Sequence, residues 1–125
     1  MIQKKKATAN HLETGKKGES LAVAYLQQNG FTILRCNWRH SFYEIDIIAS
    51  KNGVLHFIEI KTRRTMKYGF PEESVSVKKI RSLLKGAAIY LLQHPGWKRV
   101  QLDVLSITML PEREPEYFLI EDVSL

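Results

Sequence analysis

Apolar positions along the 125-residue chain change their period several times, and each change marks an element. From about Asn10 to Asn29 they recur at helical spacing, with Ala22, Val23 and Leu26 on one stripe and Gly30 following as a helix-ending residue. Phe31 to Trp38 reads as a strand, and Arg39 to Phe42 as a short connection. Two further strands flank Asn52-Gly53, the dipeptide that best suits a two-residue type I′ turn. Thr65 to Ser74, with Gly69 and Pro71, reads as a loop. A second helix is expected from about Ser76 to Gln93, with Ile80, Leu83, Leu84, Ala87, Ala88 and Leu91 as its apolar face and His94-Pro95-Gly96 as its stop. Gly86 inside it costs about 1 kcal/mol against alanine and signals close packing. Val100 to Leu110 alternates as a fourth strand, and Tyr117 to Ile120 forms a short last one.

The order α-β-β-β-α-β, with an extra edge strand, predicts an α/β fold. Three strands form a meander, and the second helix crosses over to bring the fourth strand into the same mixed sheet. The chain is long enough for one ordinary core, so a single domain over residues 10–125 is expected behind a flexible, basic segment at residues 1–9.

The Asn52-Gly53 turn also fixes a register. With these as the loop residues, Lys51 faces Val54, Asp46 faces Glu59, and Glu44 faces Lys61. Alternation then puts Glu44, Asp46, Glu59 and Lys61 on one side, and Ile45, Ile47, Ile58 and Ile60 on the other as core. Like charges facing each other on a sheet repel, and burying them is costlier unless a cation or a proton compensates. A hard divalent cation such as Mg²⁺ takes one or two protein carboxylates and keeps several waters, which suits Asp46 and Glu59. The plain alternative is a solvated face with Glu44–Lys61 as a cross-strand pair.

Charge extends that reading. The net charge is +6 and the pI near 9.5. The excess sits in clusters: Lys4-Lys5-Lys6, Lys16-Lys17, Arg63-Arg64 with Lys67, and Lys78-Lys79-Arg81-Lys85. An anionic polymer is the partner such a balance favours. Arg39, Arg63, Arg64 and Lys79 are candidates for phosphate contacts, each of them equally open to a role as a solvated charge. Cys36, alone of its kind, excludes an internal disulfide and reads as a small apolar filler in a strand. No apolar run reaches the length of a membrane span, so a cytoplasmic protein with no membrane partner is expected. His40 and His56 lack metal-ligand spacing, and His56 lies on the Ile58 face as a core or edge residue. Glu19 shares the first helix's stripe, either at its solvated rim or directed under the sheet, and spacing alone favours the rim.

An acidic residue, a strand and turn, then Glu-x-Lys is the pattern of the PD-(D/E)XK nuclease superfamily, met here as Asp46 and Glu59-Ile60-Lys61. More closely, the chain resembles the YraN-like family of small bacterial proteins, themselves similar to archaeal Holliday-junction resolvases. The matching pieces are Gly18-Glu19-Ser20-Leu21-Ala22, Gly30 to Leu34, Asn37-Trp38-Arg39, Glu44-Ile45-Asp46 and Phe57 to Arg63. Phe70-Pro71, a lysine at the start of the second helix (Lys79 or Lys78) and Leu102-Asp103-Val104 complete them. The resemblance implies a restriction-endonuclease-like αβββαβ core, with Asp46 and Glu59 as ligands of Mg²⁺ or Mn²⁺. It implies that Lys61 orients or activates the attacking water, and that Glu19 is an acidic catalytic residue supplied by the first helix. One departure is Tyr43, where the family has glycine before Glu-Ile-Asp; a tyrosine there is expected to narrow the approach beside the metal.

Three functions are compatible with these observations. The first is a metal-dependent endonuclease of the resolvase type on branched or structured DNA. The second is a nucleic-acid-binding protein with little or no turnover, and the third an adaptor docking on a DNA-processing partner. The expected partner is nucleic acid, DNA before RNA, and a homodimer is one assembly open to the chain.

Overall fold

The computed structural model describes residues 2–64 and 76–123, with the side chains of the first helix described from residue 15 onward. The elements in order are α1 (Ile2–Gln28), β1 (Thr32–His40), β2 (Tyr43–Lys51), β3 (Val54–Arg63), α2 (Val77–Gln93), β4 (Val100–Thr108) and β5 (Glu116–Ile120). They build one five-stranded sheet in the order β1-β2-β3-β4-β5, with β3 and β4 parallel and every other pair antiparallel. This is the meander, crossover and edge strand that the hydrophobic pattern predicts. The expected loop over Thr65–Ser74, with the Phe70-Pro71 match, lies outside the described residues.

Local chemistry sets the element ends. After α1, Gly30 takes φ +89°, its N–H reaches the Gln27 carbonyl, and the Phe31 N–H reaches the Leu26 carbonyl. That is a Schellman ending, with Leu26 and Phe31 meeting in the core behind it. α1 begins at Ile2, earlier than the Asn10 start expected, so the Lys4–Lys6 run lies within the helix. Asn52 and Gly53 both take positive φ, as a type I′ turn requires. Ser76 caps α2, its hydroxyl accepting from the Lys79 N–H at 3.1 Å.

Two apolar clusters lie on the two faces of the sheet. Alternate residues of β3 feed them: Leu55 and Phe57 join α2, and Ile58 joins α1. The α2 cluster turns on Tyr90, whose ring meets Trp38 and Phe57 edge to face at 5.7 Å each. The buried stripe of α2 is therefore Leu83, Gly86, Ala87 and Tyr90. This corrects the sequence expectation, since Leu84 and Ala88 are exposed. The stripe follows Tyr90, whose ring packs on Trp38 and Phe57 and turns that side of the helix to the sheet. Gly86 lies on the same side, where a Cβ would be in ordinary contact with Tyr43 and Ile45 at 3.4 Å.

β4 carries a buried polar group. The Asp103 carboxylate is fully buried and pairs with His56 Nδ1 at 2.6 Å. Its other oxygen accepts from the Gln101 amide and the Asp122 backbone N–H, each at 2.9 Å. The Val123 N–H donates to the Leu102 carbonyl, so the segment after β5 is tied back to β4. Asp103 is thus a structural anchor, and His56 is the core histidine expected, edge-on to Phe31.

Candidate active site

The site forms where the central hairpin opens. The β2–β3 ladder runs from Lys51↔Val54 to Ile47↔Ile58, the register that the Asn52-Gly53 turn dictates. There the backbone pairing stops, one step before Asp46 and Glu59. The Asp46 carboxylate replaces the next backbone acceptor, taking the Ile60 N–H at 2.8 Å.

An irregularity in the neighbouring strand goes with this opening. Asn37, inside β1, has φ 52°, a left-handed conformation that asparagine tolerates better than most residues. On one side of it Cys36 pairs with Ile47, and on the other Trp38 pairs with Ile45. Ile47 packs in the α1 cluster, whereas Ile45 packs in the α2 cluster. The expectation that Ile45, Ile47, Ile58 and Ile60 share one face is therefore corrected at Ile45. The strand turns over at Asp46, so strict alternation fails where the acidic residue sits.

Glu59 is buried, with 6% of its surface exposed. Burial first, and then the neighbouring Asp46 charge, raise its carboxyl pKa to about 7 against the opposing pull of Lys79 and then Lys61. The Lys79 ammonium lies 3.4 Å from Glu59 Oε1. Glu19 reaches the site from α1, where its carboxylate accepts from the Asn37 side-chain amide at 2.8 Å. Both residues help to line an open cavity of about 340 Å³ with Gly15, Lys16, Asp46, Ile60 and Thr62. Glu19 is therefore half-buried and directed at the sheet, not at the solvated rim its spacing favours. Gly18 makes this possible: a Cβ there would lie 2.2 Å from the Thr62 methyl carbon, so α1 seats on β3 only without one.

The other candidates separate into distinct surroundings. Arg39 pairs with Glu44 across the β1–β2 hairpin, both well exposed. Glu44 is thus matched by Arg39, and the expected Glu44–Lys61 pairing is absent because the β2–β3 ladder ends before reaching it. Lys61 is half-buried beside Glu59, and Arg64 is exposed. Arg63 is half-buried, with Nη1 lacking a hydrogen-bond partner among the described residues. Tyr43 packs toward Gly86 of α2 and is not among the described residues lining the Glu19–Asp46 cavity. Cys36 is exposed, which corrects the apolar-filler reading; partial burial of its sulfur and then Glu19 hold the thiol above its usual pKa. Sequence reasoning overlooked Asn37 and Lys16 as site residues. An asparagine between strand-forming residues was the available signal for the first.

Among the described residues no group of three or more His, Cys, Asp or Glu side chains is placed to hold a metal. What is present is a carboxylate pair, one member buried and raised in pKa by the other, on oxygen donors alone. That donor set fits a hard cation which keeps most of its water, and it fits neither zinc nor a cluster.

Fold and site together define a small α/β protein of αβββαβ order with an acidic pair at the mouth of its central hairpin. The chain belongs to the uncharacterised protein family UPF0102, the YraN-like proteins, whose family model matches residues 18–107. Similar relatives are UPF0102 proteins from several bacteria. That of Persephonella marina is 45% identical over 74% of this chain and 81% of its own length. That of Mycolicibacterium vanbaalenii is 39% identical over 94% of this chain and 98% of its own. Among solved structures, Hjc of Archaeoglobus fulgidus, a Holliday junction resolvase, matches 82% of this chain and 74% of its own at 19% identity, with a TM-score of 0.48. No helix among the described residues is long and apolar enough to cross a membrane.

Proposed function

We propose that this protein is a metal-dependent endonuclease of the Holliday-junction-resolvase type that acts on structured DNA in the cytoplasm. The observation that carries the reading is Glu59, a buried acid set beside Asp46 at the end of a strand ladder, a pairing that is costly unless something compensates it. Asp46 and Glu59 would hold Mg²⁺ or Mn²⁺. Such an ion, when bound, lowers the pKa of water and shields charge developing on a phosphate. Lys61, beside Glu59, would set a positive charge toward the water and the phosphate. Glu19, held by Asn37, adds an acceptor on the α1 side of the same cavity. Arg39, Arg63 and Arg64 belong to a basic surface suited to phosphates and indifferent to sequence.

One observation favours a second reading, a nucleic-acid-binding protein without turnover. Lys79 already lies 3.4 Å from Glu59 and supplies part of the compensation that a cation would give. Cleavage assays on linear, flapped and four-way DNA with Mg²⁺ and with Mn²⁺ separate the two. The nuclease cuts at least one branched substrate with either ion, and Asp46→Asn, Glu59→Gln and Lys61→Ala abolish cutting while folding normally. Binding without cutting under every condition replaces the nuclease with the binding protein.

A further inference from the structure

The basic residues of α2 divide between two surfaces. Lys79 turns to Glu59. Lys78, Arg81 and Lys85 instead line a separate groove of about 420 Å³ together with Tyr43, Val77 and Ser82. Among the described residues no acidic one lines it. Lys78, Arg81 and Lys85 recur at i, i+3 and i+7, so they stand in a row about 10 Å long on one side of the helix. Facing them across the groove is Tyr43, next to the β1–β2 turn.

The tip of that hairpin is unusual. His40 pairs with Tyr43, so Ser41 and Phe42 are the two turn residues, with Ser41 at φ 55°. Phe42 is 94% exposed, the most exposed large apolar side chain among the described residues. Among the described residues a phenylalanine so exposed has almost no apolar cover. It stands directly after the turn's polar residue and directly before the groove's Tyr43.

We infer that the α2 groove and Phe42 bind unpaired nucleic acid, with Lys78, Arg81 and Lys85 tracking the sugar-phosphate backbone and Phe42 stacking on an exposed base. This rests on the nucleic-acid reading above and narrows it to substrates with a single-stranded portion. The reason is the mixture of surfaces. A duplex offers phosphates but hides its base faces, so it has no use for an exposed phenyl ring beside an aromatic wall. A single strand offers both, and base–aromatic stacking beside a positively charged groove is how such strands are held without sequence preference. An acidic peptide matches the cations but not the flat ring.

Along the chain the groove's residues neighbour those of the candidate active site. Tyr43 precedes Asp46 by three residues on β2, and Lys78 adjoins Lys79, which contacts Glu59. A strand lying along α2 is thereby led to the carboxylates.

The test is fluorescence anisotropy in metal-free buffer with labelled oligothymidine, a blunt duplex of equal length, and labelled polyglutamate. Wild type should prefer the single strand to the duplex, and polyglutamate should bind weakly. Phe42→Ala should weaken single-strand binding about tenfold while leaving duplex binding and melting temperature unchanged, and Phe42→Trp should restore it with indole quenching on binding. Arg81→Glu with Lys85→Glu should abolish it. Equal affinity for duplex and single strand, wild-type binding by Phe42→Ala, or polyglutamate binding as tight as oligothymidine overturns the inference. Because binding is read without metal, loss of cleavage in the wild type with intact single-strand binding defeats only the nuclease reading. Cleavage retained while Phe42→Ala binds normally defeats only this one.

Discussion

At the scale of single residues, Glu59 has the most direct solution consequence. Its carboxyl pKa is raised from 4.5 to about 7, first by burial and then by Asp46. The folded state therefore keeps a proton that the unfolded chain gives up, and stability falls as pH climbs between these two values. Below the unfolded value both states are protonated and the loss is absent; above about 7 it is complete. Glu59→Gln removes the titration. Urea denaturation should show the variant gaining on the wild type by up to about 3 kcal/mol between about pH 4 and about pH 8. A constant difference across that range would mean that Glu59 ionises freely. Asp103 behaves differently because its partners are built in. Asp103→Ala strands His56, Gln101 and the Asp122 N–H, and should cost about 3–5 kcal/mol. Calorimetry should find that loss with Glu19, Asp46 and Glu59 all intact.

At the scale of elements, the seating of α1 on β3 decides whether Glu19 reaches the site. Gly18→Ala drives a methyl group into Thr62, and should cost about 1–3 kcal/mol despite alanine's better helix propensity. Thr62→Ser removes the opposing methyl carbon, so the double variant should recover most of that loss; no recovery would place the strain elsewhere. The same scale shows what the sequence made legible. Asn52-Gly53 carries its own conformation, so the turn and the β2–β3 register as far as Ile47↔Ile58 follow from local chemistry, whereas the ladder ends before the expected Asp46–Glu59 pair. Glu19 was ambiguous from spacing because a stripe's edge and a site's edge look alike; only the family resemblance singled it out. The face of Ile45 was misread because alternation assumes a regular strand, and Asn37 breaks that regularity from the neighbouring strand. The α2 stripe was misread for a related reason. Counting aliphatic residues passes over Tyr90, whose ring packs on Trp38 and Phe57 and turns that side of the helix to the sheet.

At the scale of the whole molecule, an acidic centre lies within a basic chain of net charge +6. Lysine and arginine contacts release counterions when they meet a polyanion, so DNA affinity should fall steeply with salt and change little with sequence. A titration across ionic strength checks this, and affinity that is flat in salt would remove the electrostatic basis for DNA binding. The carboxylate pair must escape its own repulsion within that field, and under the proposed function a divalent cation would supply the compensation that Lys79 gives only in part. A cation that binds only the folded protein raises its melting temperature in proportion to the logarithm of its concentration once above its dissociation constant. The most direct measurement is the melting temperature at about pH 8, with Glu59 ionised, as Mn²⁺ is titrated into wild type and Glu59→Gln. Wild type should rise steadily with Mn²⁺ and the variant stay level. A wild type that does not respond, or a variant that rises equally, would contradict the assignment of Asp46 and Glu59 as a cation site.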